Sequence, residues 1–246
     1  MRSSFDHLIG TAENFHRFIC LTELARQSQH IIMFQVAGMG RNAPMALSLK
    51  RLGLVVAAVS LPLTQAPAES KLHHSLAGQL LIASESMSDP RFDQAVVLVV
   101  RHDQNGALGI IINRPVQDRP LAALLEALGD QSPTARGNVR IFAGGPVQPD
   151  IGFVVHSADY RRRDTIDIDG HIAVTSSREI LRDIADNRGP TKSLIAFGYA
   201  GWGPGQLEGE IEHRVWFTTA EDSKLIFDQD RDKVWDEAMK RRTQDL

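Results

Sequence analysis

Residues 95–100 read Ala95-Val96-Val97-Leu98-Val99-Val100, residues 102–106 read His102-Asp103-Gln104-Asn105-Gly106, and residues 107–112 read Ala107-Leu108-Gly109-Ile110-Ile111-Ile112. Two apolar runs joined through Asn-Gly predict a β-hairpin, because that dipeptide tolerates the positive φ that a tight, right-twisting turn requires. The runs are continuously apolar instead of alternating, so both faces of these strands are expected to be buried. Asn113-Arg114-Pro115 closes the second strand, since proline has no N–H to give a central ladder. Upstream, residues 79–83 form another short apolar run. Between the two runs lies Ser88-Asp89-Pro90-Arg91-Phe92, a turn in which Asp89 accepts hydrogen bonds from amides just downstream.

Working outward, residues 120–128 place Leu121, Leu124, Leu125 and Leu128 at helical spacing and stop at Gly129. Residues 139–143 and 151–155 read as strands, the first running into Gly144-Gly145-Pro146 and the second ending at His156. Residues 165–168 and 171–175 are joined by Asp169-Gly170, a second hairpin turn. Ser176 with Glu179 has the spacing of a capping box for a helix through Ile184. Residues 193–199 read as a strand, and residues 230–242 as a terminal helix packing through Trp235. Strands and helices do not alternate regularly, so the pattern predicts an α+β domain instead of a doubly wound fold.

The chain has 246 residues, a formal charge of −3, a pI near 6.3 and one cysteine. No overall positive field recruits nucleic acid or anionic lipid. The lone Cys20 leaves no CxxC pair for zinc, thiol exchange or an iron–sulfur cluster. The first 75 residues are set apart as an N-terminal extension, with the domain over residues 76–246. Within the extension, Met45, Lys50-Arg51, an apolar run over 52–63 and Ala66-Pro67-Ala68 have the order of a secretory leader. The run is shorter than the roughly 18 to 20 residues that cross a bilayer, so no transmembrane span is expected. His73 and His74 read as linker residues.

The densest glycine cluster is Gly198-Tyr199-Ala200-Gly201-Trp202-Gly203-Pro204-Gly205. It lacks the Lys-Ser/Thr of a phosphate loop, and Glu208, Glu210 and Glu212 beyond it would repel a phosphate. A tight turn around the Trp202 ring is the expectation. No G-x-S-x-G elbow and no H-E-x-x-H spacing is present, so neither metal nor cofactor is expected. His102 and His156 end strands and are the candidate general bases, with Asp89 or Ser176 as partners. Arg161-Arg162-Arg163 and Lys240-Arg241-Arg242 are the basic triplets a nucleic acid would use.

Several motifs in one order resemble the YqgE/AlgH family. They are Gly78-Gln79-Leu80-Leu81-Ile82-Ala83, Met87-Ser88-Asp89-Pro90-Arg91-Phe92, His102 with 106–115, Gly144-Gly145-Pro146-Val147, Gly152-Phe153 with His156, Thr175-Ser176, and 198–208 with Glu210-Ile211 and Trp216. Ser84-Glu85 departs from the Thr-Pro or Met-Pro that members usually carry there. The resemblance implies a bent, mostly antiparallel mixed sheet tending to a pseudo-barrel, flanked by helices, in a cytoplasmic protein of unestablished activity. Some members are described as transcriptional regulators. Translation from Met45 would instead send the chain to the periplasm.

These readings make the expected function binding or regulation, with an unknown protein or small molecule as partner. The expected surface comprises Asp89, His102, Asn113, Gly145, Tyr199 and Trp202. The alternative is a hydrolase-like small-molecule enzyme using His102 or His156 as base.

Overall fold

The computed structural model describes residues 75–130 and 135–243. The leader-like segment, Cys20 and His73-His74 lie outside the described residues. The elements are β1 (Leu80–Ala83), β2 (Val96–Asp103), β3 (Gly106–Ile111), β4 (Pro115–Pro120), α1 (Leu121–Ala127), β5 (Asn138–Ala143), β6 (Val147–Ser157), β7 (Ile166–Asp167) and β8 (Ile172–Thr175). They continue as α2 (Glu179–Ala185), β9 (Ser193–Trp202), α3 (Gln206–Glu212), β10 (Trp216–Thr219) and α4 (Val234–Lys240), with a π-helical turn at Lys224–Asp228 and a 3₁₀ turn at Arg231–Lys233 before α4.

The strands form one curled, mostly antiparallel sheet in the order β10-β1-β2-β3-β9-β6-β8-β7, with β5 joined to β9 and β4 to β5. This is the α+β half-barrel that the strand pattern and the resemblance lead one to expect. Its hub is β9. Along one edge β9 pairs with β6, while the other edge changes partner, from β5 in parallel at Ile195, Ala196 and Phe197 to β3 antiparallel at Ala200, Gly201 and Trp202. The change falls at Gly198, whose φ of +76° is open to glycine and strained for other residues.

Alternation along each strand explains the unbroken apolar runs. Leu80, Ile82, Val96, Leu98, Leu108, Ile110, Leu194, Ala196 and Tyr199 face inward and pack with Val174, Leu225, Val234 and Ala238, so the π-helical turn and α4 plug the interior. Leu81, Val97, Val99, Ile111, Ala200 and Trp202 face outward beneath Leu207 of α3. Ile141, Val154, Ile195 and Phe197 face outward beneath Leu121, Leu124 and Leu125 of α1 and Ile180 and Leu181 of α2. Burying both faces removes far more apolar area from water than a one-sided sheet of the same length. A Cβ on Gly78 would lie 3.3 Å from Ile168, so the start of β1 closes against the β7–β8 hairpin across the curl.

Three local expectations change. The glycine cluster is not one turn, because β9 runs through Trp202 and only Gly203-Pro204-Gly205 turns the chain. The Ser176 box does not form, since α2 begins after Arg178 without a side-chain cap. Asp164 instead accepts the Ser177 amide at 2.9 Å. Strands β4 and β10 were not anticipated, because a polar run between two prolines and the short Trp216-Phe217-Thr218-Thr219 stretch carry weak strand signals.

Candidate functional site

The expected site residues are distributed over both faces of the sheet. Gly145 sits where two chain segments cross. Gly144 N–H donates to Phe197 O at 2.7 Å, Ile111 N–H donates to Gly144 O at 2.8 Å, and a Cβ at Gly145 would stand 2.1 Å from the Tyr199 carbonyl carbon. Tyr199 turns inward against Phe153, with ring centroids 6.2 Å apart, and burial pushes its hydroxyl pKa up.

Trp202 faces the opposite way. Its Nε1–H and that of Trp216 both donate to Glu210 Oε2 at 2.8 Å, with the two rings edge to face at 5.9 Å. Gln206 donates to Glu210 Oε1 at 2.8 Å and accepts the Gly203 amide at 3.1 Å. One carboxylate thus satisfies two buried indoles and pins α3 to the sheet, which gives Gly203, Gln206 and Glu210 structural tasks.

His102 is 8% exposed at the end of β2. Its Nδ1 accepts the Leu76 amide at 3.0 Å, which fixes the neutral tautomer, so Nε2–H donates to Glu208 Oε1 at 3.0 Å. Asn113 accepts the Val96 amide at 2.9 Å and donates to Gln94 O at 2.8 Å, clipping the chain ahead of β2 to the end of β3. Asp89 is on an exposed turn, where the Arg91 guanidinium holds its carboxyl below the usual range. The expected downstream amide bond is present, from Arg91 N to Asp89 Oδ1 at 2.9 Å. Tyr199 and Trp202 point to opposite faces of β9, so these residues do not converge on one opening.

His156, the other candidate base, is fully buried. Its Nδ1–H donates to Ser157 O at 2.8 Å, so Nε2 accepts from Thr175 Oγ1 at 2.9 Å. Thr175 in turn receives a hydrogen bond from Thr165 at 2.7 Å, and Thr165 accepts the Arg162 amide at 2.8 Å. Burial lowers the His156 pKa. Its partner is Thr175 instead of Ser176, and the partner of His102 is Glu208 instead of Asp89. Both ring nitrogens of each histidine are occupied. Beside His156, Tyr160 donates to Asp183 at 2.6 Å, and burial together with that carboxylate pushes the Tyr160 hydroxyl up to about 12.

Four of the six cations in the basic triplets are paired with carboxylates. Arg161 pairs with Asp167, Arg162 with Asp183, Lys240 with Glu237 and Arg241 with Asp222. Among the described residues, no group of three or more His, Cys, Asp or Glu side chains is placed to hold a metal ion. No helix among them is long and apolar enough to cross a membrane.

A cleft of about 750 Å³ opens elsewhere, at the mouth of the half-barrel under β4 and β5. Its floor is the inner face of β5 and β9, through Phe142 and Leu194, with Ile226; its far wall is residues 227–232. Asp118 and Arg140 lie opposite each other in the β4–β5 register, Nε to Oδ1 at 2.8 Å and Nη2 to Oδ2 at 3.2 Å, and Arg140 holds the Asp118 carboxyl below its ordinary value. Arg231 in the wall is 9% exposed. Its guanidinium donates to the carbonyls of Ile226 at 2.9 Å, Gln229 at 2.8 Å and Ile112 at 3.3 Å, and burial, then the neighbouring Arg140, lowers its pKa. Arg231 therefore ties the wall to the end of β3. None of these cleft residues stood out in the sequence, and the one available signal was the polar run bracketed by Pro115 and Pro120.

Fold and site together define an α+β half-barrel with a polar cleft at its mouth and with His102 and His156 held in structural bonds. The chain belongs to the AlgH-like family, whose model (DUF179) matches residues 80–246. A UPF0301 protein of Jannaschia sp. is 43% identical over 170 residues, covering 68% of this chain and 88% of the relative. One from Methylococcus capsulatus is 41% identical over 168 residues, covering 68% and 92%. The solution structure of the AlgH protein from Pseudomonas aeruginosa aligns with a TM-score of 0.60 at 39% identity, covering 68% of this chain and 88% of that one. A crystal structure of a Corynebacterium diphtheriae protein shares the fold, with a TM-score of 0.53 at 20% identity and coverage of 68% and 87%.

Proposed function

We propose that this domain is a binding module of regulatory type and that its partner docks in the cleft at the mouth of the half-barrel. The observation that carries this is the open concavity of about 750 Å³ under β4 and β5, set against motif residues that are packed into the fold. The motif residues around Trp202, His102 and Gly145 have their polar atoms committed within the fold. The cleft has a largely polar lining, Asp118, Asn138, Arg140, Ser193 and residues 228–232, over the buried Phe142, Leu194 and Ile226, and its volume is within the usual range of roughly 300–1,000 Å³. Regulation of transcription would then proceed through a partner, because four of the six cations in the basic triplets are paired with carboxylates, which reduces the charge offered to phosphates.

The test is complementation of a gene deletion in the native host. A triple variant in the cleft, N138A/S193A/D232A, is expected to fold normally and fail to restore the deletion phenotype. Full restoration by that variant would remove the cleft from consideration. An acid–base role for His156 predicts loss of function in H156Q with an intact fold; a matched loss of stability and function would leave His156 structural.

A further inference from the structure

We infer that His102 is a proton-operated latch: its neutral ring anchors the chain where Ser75 and Leu76 enter the domain, and protonation of the ring releases that entry while β1 stays in the sheet.

The ring lies between two groups that favour opposite charge states. On one side Nδ1 accepts the Leu76 N–H at 3.0 Å, a bond that only a ring without a proton on Nδ1 can make. On the other, Nε2–H donates to Glu208 Oε1 at 3.0 Å, and a carboxylate there favours the imidazolium. Water screens these contacts little, since the His102 side chain is 4% exposed and that of Glu208 23%. A proton arriving at Nδ1 has unequal consequences. The hydrogen bond to Glu208 becomes charge-assisted and stronger, while at Leu76 two N–H groups are left facing each other. Geometry thus decides which contact breaks. Of the other charges nearby, Arg101 and Asp103 flank His102 in β2, project to the opposite face by strand alternation and pair with each other at 3.8 Å. From β3 the residue opposite His102 is Ala107, and on α3 Glu210 is taken up by Trp202, Trp216 and Gln206.

The released piece is bounded. Gly78 N–H donates to Val99 O at 2.9 Å and Val99 N–H donates to Gln79 O at 2.9 Å, so the sheet holds the chain from Gly78 onward. Ahead of that point, the exposed Ser75 donates through Oγ to His102 O at 2.9 Å, and Gln79 N–H closes a turn on Leu76 O at 2.9 Å. The bond from the Leu76 amide to the ring is the buried polar tie of this entry. The Leu76 side chain is itself buried in the outer apolar layer with Leu207, Trp202 and Trp216. Detaching it bares a small apolar seat beside α3.

The experiment follows the full chain, isotope-labelled, by NMR from about pH 8 to pH 5, the interval in which imidazole ordinarily changes charge. The His102 ring nitrogens are expected to pass from the neutral Nε2–H pattern to the imidazolium pattern. In the same transition the Leu76 amide is expected to shift and to lose about fivefold or more of its protection from exchange, while the Gly78 and Val99 amides stay protected. E208Q keeps an acceptor for Nε2–H without the charge, and is expected to move the transition to lower pH. H102N offers Oδ1 in place of Nδ1 and is expected to hold Leu76 across the whole range, whereas H156Q should keep the transition of the parent chain. Leu76 detaching apart from the ring titration, a ring that stays neutral throughout, an unmoved transition in E208Q, its loss in H156Q, or release of Leu76 in H102N would each overturn the inference. So would loss of the whole sheet at the same pH, which would make His102 a part of the general core. If H102N does not fold, the titrations of the parent chain and of E208Q decide.

Discussion

The outer face beneath α3 and the mouth beneath β4 are built from opposite materials. Under α3, glycines, tryptophans and a histidine are packed until nearly every polar atom has an internal partner, as Glu210 shows by accepting from Trp202, Trp216 and Gln206. At the mouth, ordinary aspartates, arginines and an asparagine line a concavity that the fold leaves open. The difference separates what shapes this domain from what it offers to other molecules. The conspicuous motifs belong to the first task.

The contrast can be broken most sharply at the crossing. Gly145→Ala would bring a Cβ to 2.1 Å from the Tyr199 main chain, so a loss of about 3 kcal/mol or more, or failure to fold, is expected in chemical denaturation. Glu210→Ala comes next. It strips two buried indole N–H groups of their acceptor and is expected to cost about 2–4 kcal/mol, read from the same denaturation curves, without altering cleft-directed binding.

The pH response sharpens the comparison further. The folded pKa of His156 lies below its ordinary value of 6.5, so its stabilisation is fully present above that value and is lost as pH falls through the folded one. Urea midpoints measured from pH 8 to pH 5 should decline for the parent chain and decline less steeply for His156→Gln. At the small end, Asp118→Ala removes a pair in which both side chains are more than half exposed. It should leave the thermal melt essentially where it is in the parent chain, while altering whatever binds at the mouth. A comparably large loss of stability there would erase the distinction between the two regions.

Much of the fold was legible because its signals are local. Asn105-Gly106 forms the β2–β3 hairpin, the leucines from Leu121 to Leu128 face the core beside α1, and Trp235 donates to Ala83 O at 2.8 Å from α4. What could not be read was pairing at long sequence separation. Nothing near Gly198 signals that β9 changes neighbours there, and nothing in Pro115-Val116-Gln117-Asp118-Arg119-Pro120 signals an edge strand, because strand preference depends on what lies alongside. The site was misplaced for a related reason. Tyr199, Trp202 and His102 are residue types common at binding sites, and only their burial and partners reveal that the fold itself consumes them. The cleft has no local signature, since Arg140 and Arg231 meet across it from distant parts of the chain.

The position of β9 also governs the order in which the domain can assemble. It is the strand to which β3, β5 and β6 must all attach, yet it follows them in the chain, with β7, β8 and α2 between β6 and β9. During synthesis, those three earlier strands emerge with unsatisfied edges and wait for the segment that joins them, a topology of high contact order that folds slowly and exposes sticky intermediates. A nascent chain arrested before Ser193 would hold hairpins without a barrel, and would need a chaperone until the missing strand arrived.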